Sequence, residues 1–349
     1  MTTIAEDQGH VTVGVDTHAD ENVAAVLSAR GQLLGTASFP TTGAGHRSLE
    51  AWALGFGPID SFGIEGTGAW GAGIARHCTA QGHRVVEVDR PDRKTRYRRG
   101  KSDSIDAEAA ARAIQAGTAT GTPKTRNGLV ESIRALRVAR RSAVKDRAAA
   151  MHQIHSLIST APDDLRAQLR TLPARRLVST CAALRPGDLT DPTQATKHAL
   201  RSIARRHQFL AEEIADLDAQ LEPLVTAAAP ASMLARSGVG IDVAGQLLVT
   251  AGDNPDRLHS PAAFAHLCGV APIPIASGRS STNRLNRGGD RAANAALYRI
   301  VLCRLRWDPD SRAFIDKKIK EGKTKKGAIR CLKHYISREI YQDLRQLTP

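Results

Sequence analysis

Short apolar runs alternate with helical patterns over the first part of the chain. The runs at 11–15, 22–28, 33–39, 61–65 and 84–88 have the length and composition of β-strands. Helical patterns cover 43–54, 69–81 and the alanine-rich segment that follows Lys101. The first three strands are separated only by short turns, as in a meander, whereas the later strands alternate with helices. The pattern therefore predicts an α/β domain over residues 1–120.

Two longer helical patterns follow a linker rich in Gly, Thr and Pro at 118–127. The first pattern runs from Leu129 to about Thr160. The second repeats apolar residues every three or four positions between Leu200 and Leu221, with His207 in the series, and ends at Pro223. We expect an antiparallel helical pair, formed either within one chain or between two chains, in a coiled-coil segment over 128–226. A single histidine in such a seam is more typical of a residue that sets the register than of a metal ligand.

The remaining residues, 230–349, are predicted to form a mainly α-helical domain. Its segment 237–242 contains two glycines between helical patterns, which is typical either of a helix-hairpin-helix turn that binds a phosphate or of a plain turn between packed helices. Pro272 and Pro274 exclude a helix and predict an extended loop that leads to Ser277. A helix to about Trp307 and a final helix near 330–344 complete this domain.

The charge of the chain points to a polyanionic partner. The net charge is +14, and residues 279–349 carry 18 Lys or Arg against 7 Asp or Glu, which is +11 of that total. Aromatic residues are only 4% of the chain, so contacts to phosphates are favoured over a base-stacking platform. The cations expected to contact nucleic acid are Arg93, Lys94, Arg96, Arg98, Arg99, Lys101, Arg279, Arg284, Arg287, Arg291, Lys323, Lys325 and Lys326.

The five cysteines and the hydropathy of the chain exclude other classes of protein. The cysteines are far apart and form no C-x-x-C pair, so neither a zinc site nor a disulfide framework is predicted. The sequence contains no signal peptide and no apolar run long enough to span a membrane. We therefore expect a cytoplasmic protein without a membrane partner.

Four acidic residues lie where an open α/β sheet places its active site. Asp16 and Glu65 end predicted strands, and Asp103 and Asp106 are three residues apart at the start of a predicted helix, on one of its faces. If these acids converge, they provide the ligands for two Mg²⁺ ions roughly 3.5–4 Å apart, as in many nucleases. Taken singly, each acid also has an ordinary structural role, such as a helix cap or an ion pair.

Two sets of motifs in this chain resemble those of one transposase family. The segments 14–16, 65–68 and 101–107 closely resemble the DEDD domain of the insertion-sequence transposases of the one-ten group, also called bridge recombinases. The segment 267–291 resembles the second signature of that family, which carries a nucleophilic serine. The resemblance implies an N-terminal RuvC-like domain with an RNase H fold and makes Ser277 the nucleophile, with Ser280 and Ser281 as rivals. It also implies that the catalytic metal ligands are Asp16, Glu65, Asp103 and Asp106.

The resemblance also implies a function. It makes the chain a DNA transposase or site-specific recombinase that acts on target and donor DNA, uses a structured bridge RNA as its guide and works as a homo-oligomer, from dimer to tetramer. One alternative is a metal-dependent nuclease or Holliday-junction resolvase that uses water and therefore needs the four acids but not Ser277. Another is a non-catalytic protein that needs only the basic surface to bind nucleic acid.

Overall fold

The computed structural model describes residues 9–88, 102–278 and 280–347. The chain divides into two compact units. The first unit contains residues 1–128, 250–301 and 309–349, and the second contains residues 129–249 and 302–308.

A five-stranded mixed sheet forms the core of the first unit. Its strands are β1 (Val11–Thr17), β2 (Glu21–Leu27), β3 (Leu33–Pro40), β4 (Ile59–Glu65) and β5 (Arg84–Val88). The strand order is β3-β2-β1-β4-β5, in which the first three strands form an antiparallel meander and β4 and β5 run parallel to β1. The prediction of an N-terminal α/β domain is confirmed.

The central strand of this sheet, with the sequence VTVGVDT, is buried along its whole length. The helices of this region are α1 (Gly43–Leu54), α2 (Ala72–Ala80) and α3 (Asp103–Gln115). Helix α2 begins later than the expected Ala69, because the amides of Ala69 and Gly71 both bond to the Gly66 carbonyl in a tight turn. Gly66 itself has φ +69°, a conformation that favours glycine.

The predicted linker at 118–127 is held against the rest of the first unit. Gly121 forms a β-bridge with Glu87 of β5. The Asn254 side chain accepts a hydrogen bond from the Thr125 amide (3.2 Å) and donates one to the Pro123 carbonyl (3.0 Å). This segment therefore contacts both the α/β region and the C-terminal part of the same unit.

The second unit is helical. Its helices are α4 (Leu129–Ser159), α5 (Asp163–Leu169), α6 (Ala174–Ala182), α7 (Pro192–Ala228), α8 (Ala231–Leu234) and α9 (Ile241–Ala251), the last of which extends two residues past this unit. Helices α4 and α7 pack antiparallel within one chain. Ala143 packs with Leu210 and Ile214, whereas Ile154 shares a cluster with Leu200.

Helix α7 continues through Pro223 to Ala228, so the expectation that it ends at this proline is wrong. A proline inside a helix removes the bond to the carbonyl four residues earlier. Pro223 and Ala219 are both exposed, so water can hydrate the freed carbonyl of Ala219. The buried residues Leu221 and Val225 on either side continue the apolar face and stabilise the helix there.

The C-terminal part of the first unit is mainly helical, with one hairpin. After a 3-10 turn (Pro255–Arg257), its elements are α10 (Pro261–Leu267), β6 (Pro272–Ser277), β7 (Ser280–Leu285), α11 (Arg291–Trp307), α12 (Pro309–Lys320), α13 (Lys325–Leu344) and a closing 3-10 turn (Arg345–Leu347). The first residues of α11 up to Val301 belong to this unit. Helix α13 begins five residues before the expected Arg330, since Thr324 caps it by accepting a bond from the Gly327 amide (3.1 Å).

The segment expected to be an extended loop before Ser277 is instead a paired strand. β6 and β7 form an antiparallel hairpin in which Pro272 faces Leu285 and Pro274 faces Asn283. The two prolines are two positions apart along β6. Ile273 between them therefore keeps its amide and can donate a hydrogen bond to β7. The prolines exclude a helix, as predicted, but they do not prevent pairing on one side.

Candidate active site

The carboxyl ends of β1 and β4 bring Asp16 and Glu65 to one edge of the sheet. Val15 is in register with Ile64 on the parallel neighbour, so the two acids follow at adjacent strand ends. The Thr17 hydroxyl donates a hydrogen bond to the Glu65 carbonyl (2.9 Å), which ties the two ends together. Asp16 is only 7% exposed, so it is the buried member of this pair of strand ends.

Helix α3 supplies the other two acids from its first turn. Ser102 caps the helix by accepting a hydrogen bond from the Ile105 amide (3.4 Å). Asp106 is buried, with 5% exposure, and Asp103 is about half exposed. An N-terminal helical turn favours negative charge, because its free amides carry partial positive charge. The local sequence thus orients both carboxylates and partly stabilises their charges.

Two glycines allow α3 to lie directly on the sheet. Gly14 of β1 and Gly63 of β4 are register partners. A Cβ on Gly14 would overlap the Ala107 carbonyl oxygen, and one on Gly63 would lie 2.9 Å from the Ala110 carbonyl oxygen. The close approach of helix and sheet therefore depends on the absence of side chains at these two positions, and it carries Asp103 and Asp106 to the strand ends.

Glu65, Asp103 and Asp106 are close enough to Asp16 to affect its pKa. Burial raises the pKa of Asp16 above its ordinary value, and the charges of Glu65, Asp106 and Asp103 raise it further. The nearby His18 opposes this increase. Acids from three separate elements therefore share one local field, in which a divalent cation would relieve their repulsion.

His18 completes a set of possible metal ligands that the sequence analysis missed. Its Nε2 atom lies 3.2 Å from Oδ2 of Asp16 and 3.5 Å from Oδ1 of Asp103. This nitrogen is shielded from solvent, yet it makes no well-aligned hydrogen bond with a described residue. One donor atom from each of the three residues lies within 4.8 Å of the others, so together they could hold a cation. The signal in the sequence is the D-x-H spacing at a strand end, which places both side chains on one side.

The composition of this donor set fits a hard divalent cation. Carboxylate oxygens are the ligands that Mg²⁺ and Mn²⁺ prefer, and an imidazole nitrogen is compatible with Mn²⁺. The buried Nε2 of His18 points into the same space as the carboxylates. Asp16, His18 and Asp103 therefore fit a divalent-metal site, whereas Glu65 and Asp106 are not in the group of donors that lie within 4.8 Å of one another.

Ser277 lies on the two-stranded sheet, away from the five-stranded sheet and helix α3 that carry the four acids. It is the last residue of β6, is exposed and pairs with Ser280 across the tip of the hairpin. Gly278 forms the turn with φ +55°. The rivals Ser280 and Ser281 belong to β7, and their side chains lie outside the described residues.

The predicted nucleic-acid contacts fall into three groups. Four of them line a cleft beside the hairpin, and they are Arg284, Arg287, Arg291 and Lys323. Lys325 and Lys326 are exposed in the first turn of α13. The rest lie outside the described residues, and they are Arg93, Lys94, Arg96, Arg98, Arg99, Lys101 and Arg279.

Two transposase family models match this chain. One, for the DEDD domain of IS110-type elements and described as transposase, matches residues 13–161. The other is described as transposase of the IS116/IS110/IS902 family and matches residues 233–316. The first match includes all four acids and the second includes Ser277.

Proteins of two insertion elements are similar to part of the chain. An uncharacterised 42 kDa protein of insertion element IS900 from Mycobacterium paratuberculosis is 33% identical over 132 residues, which are 37% of this chain and 33% of that protein. An uncharacterised 43.6 kDa protein of insertion element IS110 from Streptomyces coelicolor is 32% identical over 125 residues, 35% of this chain and 31% of that protein. Each match thus spans about a third of the relative's length.

In the part of the chain that the structure describes, every helix is too short or too polar to cross a membrane.

Proposed function

We propose that the chain is a transposase of the IS116/IS110/IS902 family and cuts and rejoins DNA for an insertion element, because two transposase family models match residues 13–161 and 233–316. The observation that carries this proposal is the gathering of Asp16, Glu65, Asp103 and Asp106 at one edge of the sheet. Three separate elements contribute, and a structural role for any single acid would not require the others. The strand order and the helix lying on β1 also support an RNase H-like interpretation of this region.

The four acids, with His18, would hold Mg²⁺ ions at the strand ends. A bound ion would polarise the scissile phosphodiester and neutralise the charge that develops on its oxygens. Burial of Asp16 and Asp106 fixes their carboxylates in place, so little reorganisation is needed when the substrate binds. The exposed side of the site, at Asp103, leaves room for the DNA strand.

Ser277 would act as the nucleophile. Its Oγ loses its proton and forms a bond to phosphorus, one phosphodiester P–O bond breaks, and the leaving DNA oxygen takes up a proton, so that the step releases no net proton. The resulting phosphoserine ester conserves the bond energy, so a DNA hydroxyl can later displace the serine and rejoin the strand. Exposure at the hairpin tip gives the hydroxyl access to DNA, and arginines near it in sequence would stabilise the phosphate charge.

The partners of this reaction are carried over from the family resemblance. We propose target and donor DNA as substrates, a structured bridge RNA as the guide, and a homo-oligomer, dimer to tetramer, as the working form. In such an oligomer, the metal site of one subunit would activate the serine of another.

Hydrolysis by water is the competing function. The acids form a complete set without Ser277, which lies on a separate sheet. A metal-dependent nuclease or junction resolvase would use that set alone. The two functions differ in whether the protein becomes covalently attached to DNA.

A covalent trapping experiment separates them. The full chain is incubated with Mg²⁺ and with DNA that carries the ends of its insertion element, then denatured and examined for protein-linked DNA. We expect an adduct for the parent and none for Ser277→Ala, which should bind DNA normally. Asp16→Asn should lose both cleavage and adduct. If Ser280→Ala or Ser281→Ala abolishes the adduct instead, that serine is the nucleophile. If Ser277→Ala cleaves DNA at the parental rate, the reaction is hydrolysis by water.

A further inference from the structure

A basic cleft lies beside the hairpin that carries Ser277. It has a volume of about 720 Å³ and is bounded by the base of the hairpin, the start of α11 and the middle of α13. No described residue that lines it is Asp or Glu. Seven are cations, and they are Arg284, Arg287, Arg291, Lys318, Lys323, Arg330 and Lys333. Its volume is within the usual range for small-molecule sites, which is about 300–1,000 Å³.

Six of the seven cations of this cleft have no carboxylate partner within the described part of the protein. Lys318 pairs with Glu321 (2.6 Å), but the other six form no ion pair with a described carboxylate. Lys333 is partly buried and donates to Oδ1 of Asn294 (2.6 Å). Burial lowers the pKa of Lys333, and the charge of Arg330 lowers it further. An anionic ligand would supply the missing counter-charge.

The cleft also offers flat apolar surface among these charges. Tyr335 is 48% exposed and Leu285 is 49% exposed. The Tyr335 and Phe314 rings form a T-shaped pair with centroids 5.3 Å apart, and about half of Tyr335 remains exposed to solvent. A duplex presents mainly phosphates to such a surface, whereas an unpaired nucleotide also presents the face of its base. The combination of cations and an exposed aromatic ring therefore favours an unpaired nucleotide.

We propose that this cleft binds an unpaired nucleotide and its flanking phosphates, with Tyr335 stacking on the base and Arg284 and Arg330 contacting the phosphates. The cleft is at the Pro272 end of β6 and Ser277 is at the other end, about 17 Å away at about 3.3 Å per residue. If Ser277 is the nucleophile, as proposed above, this spacing holds the unpaired nucleotide at a fixed distance from the reacting phosphate. The cleft would thus set the register of the strand on the serine.

Binding to short, fluorescently labelled oligonucleotides tests this proposal. Anisotropy is measured in EDTA for a single-stranded DNA, a single-stranded RNA of the same sequence and the matching DNA duplex. Base–aromatic stacking predicts that Tyr335→Leu weakens single-strand binding roughly 5- to 100-fold and changes duplex binding less than about twofold. Arg284→Ala/Arg330→Ala should reduce the salt dependence by about 0.7 in log–log slope for each phosphate that the protein no longer neutralises.

Matched variants control for folding and for general charge. Phe209→Leu removes another exposed ring, and Arg170→Ala/Arg175→Ala removes two exposed cations from the second unit. Both should bind like the parent, and all variants should melt at the parental temperature. A loss confined to the DNA strand, or to the RNA strand, identifies the source of the nucleotide. Unchanged binding by Tyr335→Leu, or an equal loss for the duplex, overturns the proposal.

The test is independent of strand cleavage. Because EDTA removes divalent ions, binding is measured without the acid site. If Tyr335→Leu loses single-strand binding but the parent never forms a covalent adduct, the nucleotide cleft is supported and the proposed function is contradicted. If the parent forms the adduct but every variant binds each oligonucleotide as the parent does, the proposed function is supported and the nucleotide cleft is contradicted.

Discussion

At the scale of single residues, His18 changes the chemistry expected of the site. Four carboxylates alone would select a small hard cation with several waters. The Nε2 of His18, within 3.5 Å of both Asp16 and Asp103, adds a nitrogen donor that favours Mn²⁺ relative to Mg²⁺. Its tautomer then matters, since only an unprotonated Nε2 can bind a metal.

We predict that His18→Ala weakens Mn²⁺ binding on the order of tenfold or more, because one ligand is removed and the remaining carboxylates are less well oriented. Mn²⁺ affinity is measured by electron paramagnetic resonance titration of the full chain. His10→Ala, an exposed histidine just before β1, is the matched control and should bind as the parent does. Equal affinities for the parent and His18→Ala would show that the imidazole is not a ligand.

At the scale of elements, the packing of α3 on the sheet determines the geometry of the acids. Gly14→Ala forces the helix away from β1, because the new methyl group overlaps the Ala107 carbonyl and the Ala111 amide. Overpacking against backbone should cost about 2 kcal/mol or more of unfolding free energy. Since α3 carries Asp103 and Asp106, Mn²⁺ affinity should fall as well.

Denaturant unfolding and Mn²⁺ titration check the prediction for Gly14. Gly43→Ala provides the control, as a Cβ there meets nothing closer than the Arg47 guanidinium at 3.7 Å. It should leave both quantities unchanged or slightly increase stability. If Gly14→Ala is as stable as Gly43→Ala, the helix does not depend on this close approach.

Another link between elements is the carboxylate of Glu50. This α1 residue accepts hydrogen bonds from Nε2 of His77 in α2 (2.7 Å) and of His83 just before β5 (2.8 Å). Burial alone would raise the pKa of Glu50, but the bonds from His83 and His77 outweigh it and lower the pKa below its ordinary value of 4.5. A lowered pKa in the folded state means that the stabilisation is present above about pH 4.5 and is lost as pH falls through the folded-state pKa.

Glu50→Gln should therefore destabilise the protein at neutral pH by about 1.5–3 kcal/mol, the usual contribution of hydrogen bonds to a charged group. The difference from the parent should shrink as pH falls below about 4.5. Thermal melting across this pH range measures both effects. A difference that is constant with pH would assign the loss to packing rather than to charge.

Much of the α/β region follows from the sequence, because its strands are short apolar runs between clear turns. The acids at strand ends and in the first turn of α3 could be placed for the same reason. Other features depend on tertiary packing that no local pattern carries. The pairing of the proline-rich β6, the passage of α7 through Pro223 and the approach of His18 to Asp103 each depend on neighbours distant in the chain.

At the scale of the whole molecule, the net charge of +14 is concentrated in the C-terminal residues. We predict that replacing Lys317, Lys318, Lys323, Lys325 and Lys326 together with alanine flattens the salt dependence of duplex DNA binding. The log–log slope should fall in magnitude by about 0.9 for each phosphate that these lysines neutralise in the parent. Lys318 should contribute least, since it already pairs with Glu321.

Affinity measured over a range of salt concentrations checks this prediction, with Arg170→Ala/Arg175→Ala as the control for general loss of charge. An unchanged slope for the fivefold variant would mean that these lysines remain in solvent when DNA is bound.

The unbalanced cations of the cleft also affect the protein when it is alone. Charges of one sign held close together repel, and in the described part of the chain only Lys318 among them has a carboxylate partner. Folding brings them together and so works against their repulsion, whereas a bound polyanion removes it and stabilises the folded form by mass action. We therefore expect the proposed nucleic-acid ligand also to stabilise the folded C-terminal region. On this proposal, the free protein unfolds more readily than the protein with nucleic acid bound.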